Sequence, residues 1–281
     1  MSLQILDSLS LPGDPAKPYE DAFGQRDGAA VVIDGATMLG DGLMPGPSDA
    51  AWIAQFGARR LMAHLGEGDG ARKALRAALA DTQKSFEALR RHPPEEMWQT
   101  PCASMMLAVQ VEAGLEFLWF GDCAALVRQD EAAVTVIGET FDKRAAEADL
   151  ARIIAKEKGL SPASGLNRPE FIGALRAARN RINSGDYWLF SPDVGAAPHA
   201  SRRIVKVKPG GTLLLASDGF LALASDYGAY GVEGLMAAAM DKGLKALGEE
   251  LRAIESGDAG GDRFPRFKKS DDATALLLKV N

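Results

Sequence analysis

The sequence contains few cysteines. Its 281 residues include two, Cys102 and Cys123, and they do not form a CxxC pair. Two cysteines are too few for a disulfide framework in a chain of this length, so a disulfide-stabilised scaffold is excluded. We therefore expect free thiols in a reducing compartment and predict a cytoplasmic protein.

Long apolar runs and an excess of positive charge are also missing. No apolar run approaches the ~20 residues that a membrane-spanning helix needs, and residues 1–11 lack the basic and apolar segments of a signal peptide. The formal net charge of −6 argues against nucleic acid or an anionic membrane as the main partner, because phosphate backbones attract proteins rich in Lys and Arg. A phosphorylated substrate remains compatible with this charge, since bound cations can reverse its sign locally.

Strand-like and helical segments alternate in clusters. Asp27-Gly28 lies between two short runs, the second being 29–33, and this pattern predicts a hairpin. Ser48 is a candidate N-cap for a first helix, and 71–91 predicts a second helix. Four short segments between 104 and 137, separated by turn residues, indicate an antiparallel meander.

The second half of the chain has a similar organisation. Residues 141–182 have a helical pattern interrupted at 159–169, which predicts two helices, and 232–255 predicts a long helix weakened by Gly243 and Gly248. Further strands are predicted at 187–190, 203–207, 212–216 and 273–280. Strand clusters separated by helices favour an α+β fold in which helices pack outside antiparallel sheets.

Five acidic motifs lie at or near the ends of predicted strands. They are Glu20-Asp21, Asp34-Gly35, Gly121-Asp122, Ser217-Asp218-Gly219 and Asp271-Asp272. A carboxylate at the end of a buried strand is costly unless it is paired, hydrogen-bonded or bound to metal. Several carboxylates at one end of a sandwich repel each other, and Mg²⁺ or Mn²⁺ relieves this repulsion because such hard cations prefer oxygen ligands. The motifs therefore predict a cluster of divalent metal ions.

Each motif also has a simpler interpretation when it is taken singly. An isolated Asp-Gly pair is usually a turn, so Asp27-Gly28 receives no catalytic role, and Gly121-Asp122 alone also fits a turn. Glu20-Asp21 alone fits a solvated pair, and Ser217-Asp218-Gly219 alone fits the start of a helix. The metal-site interpretation depends on the order of the motifs, their spacing and their shared position at strand ends.

In that order the motifs resemble those of the metal-dependent protein phosphatases, the PP2C or PPM family, in its bacterial form. The matching stretches are Tyr19-Glu20-Asp21-Ala22, Val32-Ile33-Asp34-Gly35, Phe120-Gly121-Asp122-Cys123, Leu215-Ala216-Ser217-Asp218-Gly219-Phe220 and Ser270-Asp271-Asp272-Ala273-Thr274. The resemblance implies a four-layer α-β-β-α sandwich, in which helices flank two antiparallel sheets. It also implies a single phosphatase domain over residues 1–281, with a variable helical insert, or flap, at 141–186.

The resemblance further implies two Mn²⁺ or Mg²⁺ ions, with a third, weaker ion. Asp34 would bridge the two metals, and Asp34 and Asp218 would be the catalytic carboxylates. Glu20 and the Gly35 carbonyl would complete one metal site. The remaining assignments are Asp218 and Asp271 for the other site, Asp122 with Asp218 for the third ion, and Asp21 and Asp272 for supporting positions.

The implied activity is hydrolysis of phosphoserine or phosphothreonine in a phosphorylated protein partner. A water molecule that bridges the metals would attack phosphorus without a phosphoenzyme intermediate. Two alternatives stay open: a phosphatase that acts on a small phosphorylated metabolite, and a catalytically weak, regulatory member that binds partners. The oligomeric state is not predicted.

The sequence departs from the family pattern at two places. Many members carry a phosphate-binding arginine three or four residues before the first glutamate, where this chain has Lys17 and Ala16. Lys17 is either a point-charge substitute for that arginine or an ordinary exposed lysine. Some members carry a histidine where this chain has Ala36. The basic residues of the insert indicate either solvated helix faces or a docking surface for a phosphorylated partner.

Overall fold

The computed structural model describes residues 2–66, 70–129, 133–141, 153, 169–266 and 268–281. Within these ranges, ten strands form two five-stranded antiparallel sheets. The strands are β1 (Leu3–Leu11), β2 (Asp21–Arg26), β3 (Ala29–Gly35), β4 (Ala103–Val111), β5 (Gly114–Phe120), β6 (Ala124–Arg128), β7 (Thr135–Ile137), β8 (Ser201–Val205), β9 (Thr212–Ala216) and β10 (Ala273–Val280).

The two sheets combine strands that are distant in sequence. The first sheet has the order β1-β10-β9-β6-β7, and the second has the order β2-β3-β4-β5-β8. Both β3 and β5 run antiparallel to β4. The C-terminal ends of β3 and β5 therefore lie at the same edge of the second sheet, where two of the acidic motifs follow.

The bounds of the helices are α1 (Asp49–Gly66), α2 (Ala71–Leu89), α3 (Pro169–Arg179), α4 (Asp218–Ser225), α5 (Val232–Lys242) and α6 (Leu244–Gly257). Helices other than α3 cover the outer faces of the two sheets. Buried residues of α1 and α2 share a core cluster with the second sheet. Those of α4, α5 and α6 share another cluster with the first sheet.

Strand β3 shows how one sequence contributes to two cores. Val31 and Ile33 point into the cluster beneath α1 and α2, whereas Ala30 and Val32 point into the cluster between the two sheets. A strand with both faces buried reads as a continuous apolar run, because its period-two alternation has no polar face. The predicted four-layer α-β-β-α sandwich is confirmed.

Several local predictions are also confirmed. Asp27-Gly28 connects β2 to β3, and Gly28 has a φ of 73° that suits glycine in such a turn. Ser48 precedes α1, and its hydroxyl accepts a hydrogen bond from the backbone N–H of Ala51 at 3.2 Å.

Three segments differ from the sequence-based predictions. Strand β1 was not predicted. Its exposure alternates along the whole strand, but Leu6 and Asp7 break the apolar alternation of its sequence, and its pairing with β10 has a register shift between Ile5 and Asp7. The predicted strand at 187–190 is wrong, because this segment makes only isolated bridges. The predicted helix at 232–255 is divided at Gly243, whose φ of 83° is a conformation that L side chains rarely adopt.

Most of the described residues of the insert lie in its C-terminal part, at 169–186. Helix α3 agrees with the helix predicted there. The helix predicted before 159 lies outside the described residues except for Phe141 and Ile153. The basic residues that also lie outside them are Lys143, Arg144, Arg152, Lys156, Lys158 and Arg168. Within the described part of the chain, no helix is both long and apolar enough to cross a membrane.

Candidate metal centre

Three aspartates from distant parts of the sequence converge in what we call the acidic cluster, formed by Asp34, Asp122 and Asp218. Asp34 is the penultimate residue of β3, Asp122 lies in the turn after β5, and Asp218 begins α4. One carboxylate oxygen from each lies within 4.8 Å of the other two. Such spacing suits several carboxylates that share a cation, because like charges at this distance otherwise repel.

The position of Asp122 is set by Gly121 and Ser104. Gly121 turns the chain with a φ of 69°, and an added Cβ there would lie 2.2 Å from the Ser104 Oγ. The Ser104 hydroxyl donates to the Asp122 Oδ1 at 2.5 Å. Because Ser104 stands opposite Asp34 in the β3–β4 register, this hydrogen bond holds Asp122 beside Asp34.

The position of Asp218 depends on a second close approach. A Cβ added at Gly219 would lie 2.0 Å from the backbone carbonyl oxygen of Asp272. Glycine therefore allows the first turn of α4 to contact the segment that carries Asp271 and Asp272. This packing joins the fourth and fifth acidic motifs.

Asp21 lies directly across the ladder from Asp34. It is 2% exposed, and neither of its carboxylate oxygens has a hydrogen-bond partner of good geometry among the described residues. Burial raises the pKa of Asp21 to about 8, and the nearby Ser217 hydroxyl offsets this only in part. Burial likewise raises the pKa of Asp34 well above its usual range, and the charges of Asp21 and Asp218 raise it further.

These residues fit a divalent cation. A buried carboxylate without a hydrogen-bond partner is destabilising, and so is a group of carboxylates that raise one another's pKa values. A hard cation with oxygen ligands offsets both effects. The donor set consists of carboxylate oxygens, and Gly35 also lines the cavity, so the site is rich in the oxygen ligands that Mg²⁺ and Mn²⁺ prefer.

Two hydroxyl groups fix the position of the Glu20 carboxylate. The Thr37 Oγ1 donates to its Oε2 at 2.5 Å, and the Ser48 Oγ donates to its Oε1 at 2.6 Å. The carboxylate of Asp272 accepts hydrogen bonds from the backbone N–H groups of Gly13 and Glu20, at 2.8 and 2.6 Å. Asp272 thus orients the backbone that carries Glu20.

Asp271 contacts a lysine that the sequence reasoning missed. The Lys268 Nζ lies 2.7 Å from the Asp271 Oδ1 and 3.3 Å from the Thr37 Oγ1. Burial lowers the pKa of Lys268, but the attraction of Asp271, Asp34 and Asp218 is stronger and raises it overall. Lys268 therefore remains an ammonium cation beside the carboxylates.

The acidic cluster, Gly35 and Asp271 line one cavity of about 370 Å³. Part of its wall is apolar and comes from α3 and the segment after it, through Leu175, Ala178, Ile182 and Leu189. Tyr227, Pro265 and Lys268 also line the cavity. The cavity wall thus contains both acidic and apolar residues, which suits a ligand that carries both a polar and an apolar part.

Helix α3 is attached to the loop after β3 by two arginines. The Arg176 Nη2 donates to the Leu39 carbonyl oxygen at 2.6 Å, and the guanidinium stacks 3.9 Å from the Trp98 ring centroid. The Arg179 Nη1 donates to the Thr37 carbonyl oxygen at 2.8 Å. The Thr37 hydroxyl also holds Glu20. Thr37 therefore contacts both helix α3 of the insert and one of the acidic residues.

Solved structures of bacterial serine/threonine phosphatases match the chain over its whole length. The Mycobacterium tuberculosis phosphatase PstP/Ppp aligns with a TM-score of 0.60 and 17% sequence identity, over 100% of both chains. The chain has the fold of this phosphatase. The PstP catalytic domain in complex with two manganese ions aligns with a TM-score of 0.55 and 16% identity, over 99% of this chain and 98% of that one.

A third structure has the same fold. The PPM Ser-Thr phosphatase MsPP from Mycobacterium smegmatis, in complex with cacodylate, aligns with a TM-score of 0.54 and 17% identity. That alignment covers 99% of this chain and 100% of MsPP. No protein-family model matches the sequence, and no curated protein matches it either.

Two positions at which the sequence departs from the PP2C pattern, Lys17 and Ala36, differ in their placement relative to the cavity. Lys17 is missing from the described residues that line the cavity. Its side chain is 71% exposed, and its Nζ lies 3.9 Å from Asp14 Oδ2. Ala36 does line the cavity, and its methyl side chain cannot donate a proton.

The histidines have contacts elsewhere. His64 pairs with Asp81 at 2.8 Å, His92 is exposed, and His199 stacks on Trp188 with ring centroids 3.5 Å apart. The sequence offered no signal for Thr37, Ser104 or Lys268, because their contacts depend on how distant segments meet. Ser48 did carry a signal, although it indicated only a helix cap.

Proposed function

We propose that this chain is a PP2C/PPM-family phosphomonoester hydrolase that depends on Mn²⁺ or Mg²⁺ and removes phosphate from serine or threonine in proteins. The observation that carries this proposal is the convergence of Asp34, Asp122 and Asp218 oxygens within 4.8 Å on a cavity wall. The proposal also draws on the shared fold with bacterial serine/threonine phosphatases. The phosphorylated protein is its expected partner.

Two metal ions would be held by Asp34, Asp218 and Asp271, with Glu20 and the Gly35 carbonyl, and a third by Asp122 with Asp218. The PstP catalytic domain, which shares the fold, is described with two manganese ions. When bound, such ions activate water for attack on phosphorus and offset charge on the phosphoryl oxygens. The low dielectric of a partly buried cavity strengthens both effects.

The protein's own groups prepare this site. Thr37 and Ser48 fix both oxygens of Glu20, and Ser104 fixes Asp122. Asp272 holds the Glu20 backbone through the Glu20 N–H. Because these hydrogen bonds orient the carboxylates through the protein's own groups, we expect little reordering of the carboxylates when the ions bind.

The size of the cavity favours a second candidate function. A volume of about 370 Å³ lies at the lower end of the range for small-molecule sites, which is about 300–1,000 Å³. A small phosphorylated metabolite is therefore the alternative substrate. On either substrate, we propose one phosphatase domain over residues 1–281 and a cytoplasmic location.

A manganese titration with an aryl phosphate tests the enzymatic function. Asp218→Asn should abolish Mn²⁺-dependent hydrolysis, because it removes the charge of one predicted ligand. Asp27→Asn is the matched control, since it makes the same chemical change in an exposed turn where Asn-Gly is equally suitable. Hydrolysis that is absent at every Mn²⁺ concentration, or equal in the two variants, contradicts the proposal and favours a regulatory binding protein.

A substrate comparison separates the two candidate functions. Phosphoserine and phosphothreonine peptides should be hydrolysed with a higher kcat/KM than sugar phosphates or nucleoside monophosphates. A preference for the metabolites would instead assign the cavity to a small-molecule substrate.

A further inference from the structure

Among the described residues, three cationic side chains line the cavity, namely Arg179, Arg266 and Lys268. The N–H donors of Arg266 are all used in hydrogen bonds within the protein. Its Nη1 donates to Asp258 and to the Phe264 carbonyl oxygen, at 2.9 and 2.8 Å. Its Nε donates to the Lys269 carbonyl oxygen at 3.0 Å. Arg266 therefore stabilises the loop before β10 through these hydrogen bonds. Its guanidinium is not available to bind a ligand in the cavity.

Lys268 differs from Arg266 because part of its donor capacity remains available. An ammonium group carries three N–H donors. Within the described residues, two are directed to the Asp271 Oδ1 and the Thr37 Oγ1, and the side chain remains 31% exposed. A third donor is thus available to a ligand that enters the cavity.

The charge of the predicted site leaves room for a further cation. Two divalent ions, the number described for the PstP catalytic domain, are balanced by the four carboxylates assigned to them, Glu20, Asp34, Asp218 and Asp271. A phosphate dianion that approaches this neutral arrangement is therefore bound more tightly if another positive charge lies beside it. Lys17 is on the surface beside Asp14 and does not line the cavity.

We infer that Lys268 binds the phosphoryl oxygens of the substrate and takes the place of the phosphate-binding arginine that this chain lacks before Glu20. The ammonium already contacts Asp271, so its position relative to the predicted metal ligands is set before the substrate arrives. A lysine acts here as a point charge and lacks the two parallel donors of a guanidinium. This inference rests on the proposed function, since it assigns a role in binding its substrate.

Calorimetric binding of inorganic phosphate to the Mn²⁺-loaded protein tests the inference without turnover. Lys268→Met should weaken phosphate binding by about 10- to 100-fold, as expected for a lost charge-assisted hydrogen bond of about 1.5–3 kcal/mol. Lys268→Arg keeps the charge and should stay within a few-fold of the wild type. Lys269→Met is the matched control, because it removes the same charge from the exposed neighbouring side chain.

Manganese affinity is the second readout. Lys268→Met should not weaken Mn²⁺ binding, because it removes an ammonium group that pairs with Asp271 and competes with the metal for that carboxylate. If Lys268→Met instead weakens Mn²⁺ binding and leaves phosphate binding unchanged, Lys268 serves only the carboxylates and the inference is wrong. The inference also fails if the wild type binds no phosphate, or if Arg179→Met reduces phosphate binding while Lys268→Met does not.

The two proposals fail in different ways. Phosphate binding that depends on Lys268 in a protein that hydrolyses no ester supports the inference and contradicts the phosphatase function. Mn²⁺-dependent hydrolysis with phosphate binding that is equal in the wild type and Lys268→Met supports the function and overturns the inference.

Discussion

Asp21 and Asp34 face each other across the β2–β3 ladder, and the charge of Asp21 raises the pKa of the Asp34 carboxyl group, which burial has already raised. Two ionisable residues opposite one another in the interior of a sheet destabilise the metal-free protein whenever both are charged. The same pair becomes favourable when a cation is bound near it. The stability of this fold is therefore expected to depend on pH and on divalent metal.

The first prediction concerns Asp21 in the metal-free protein. Its pKa is about 8 in the folded state, against an ordinary value of 3.8. Between these values the unfolded chain has released the proton and the folded protein retains it, so the free energy of unfolding falls as the pH rises from about 4 to about 8. Asp21→Asn should make this decline shallower and should increase stability most at the alkaline end.

Urea denaturation in EDTA at several pH values measures this effect. Asp27→Asn should keep the wild-type pH dependence, because Asp27 is exposed in a turn. If Asp21→Asn shows the same decline as the wild type between pH 4 and 8, Asp21 does not carry the raised pKa that its burial implies.

The second prediction concerns Thr37, which holds Glu20 through its hydroxyl. Thr37→Val keeps the shape of the side chain and removes the hydrogen bond, and it should weaken Mn²⁺ binding by about 10- to 100-fold, as is typical for residues that orient metal ligands. Thr37→Ser keeps the hydroxyl and should bind Mn²⁺ nearly as the wild type does. Calorimetry on both variants is the measurement, and equal loss in both would show that the methyl group, not the hydroxyl, matters.

The third prediction concerns the glycine that follows Asp218. Because a Cβ at position 219 would meet the Asp272 carbonyl oxygen at 2.0 Å, Gly219→Ala should displace α4 from the Asp271 segment. We expect a loss of stability of about 1–3 kcal/mol together with weaker Mn²⁺ binding.

Gly234→Ala is the helical control for this substitution. Its added Cβ would lie 3.7 Å from the nearest side-chain atom, in Tyr230, and should stabilise helix α5 by roughly 0.5–1 kcal/mol. Thermal unfolding of both variants separates the packing effect at position 219 from the general effect of alanine. Two variants of equal stability would contradict the close approach.

The layered fold was predictable because apolar runs and turn residues mark most strands, and the order of the acidic motifs matches one family. Strand β1 was harder to recognise, since Leu6 and Asp7 break the alternation of apolar and polar residues in its sequence. Asp7 also accepts a hydrogen bond from the backbone N–H of Leu244 at 2.7 Å. That contact joins residues more than 200 positions apart, which no local pattern reveals.

The carboxylates of the candidate site were predictable from the sequence, but the lysine beside them, Lys268, was not. Asp34, Asp122 and Asp218 follow apolar strands, which gave them a local signal. Asp122, expected only at a weaker third ion, lies within the same 4.8 Å spacing as the other two. Lys268 belongs to a polar segment whose sequence indicates only a loop. Its contact with Asp271 depends on the path of that loop, which the sequence does not reveal.

The most direct test of the metal centre is an anomalous-scattering map of crystals grown with Mn²⁺. We expect two manganese peaks bonded to carboxylates of the acidic cluster, with Asp34 in contact with both. The same crystals of Asp218→Asn should lose at least one peak. A map of the wild type at saturating Mn²⁺ with no manganese at Asp34, Asp122 or Asp218 would contradict the claim that these residues form a divalent metal centre.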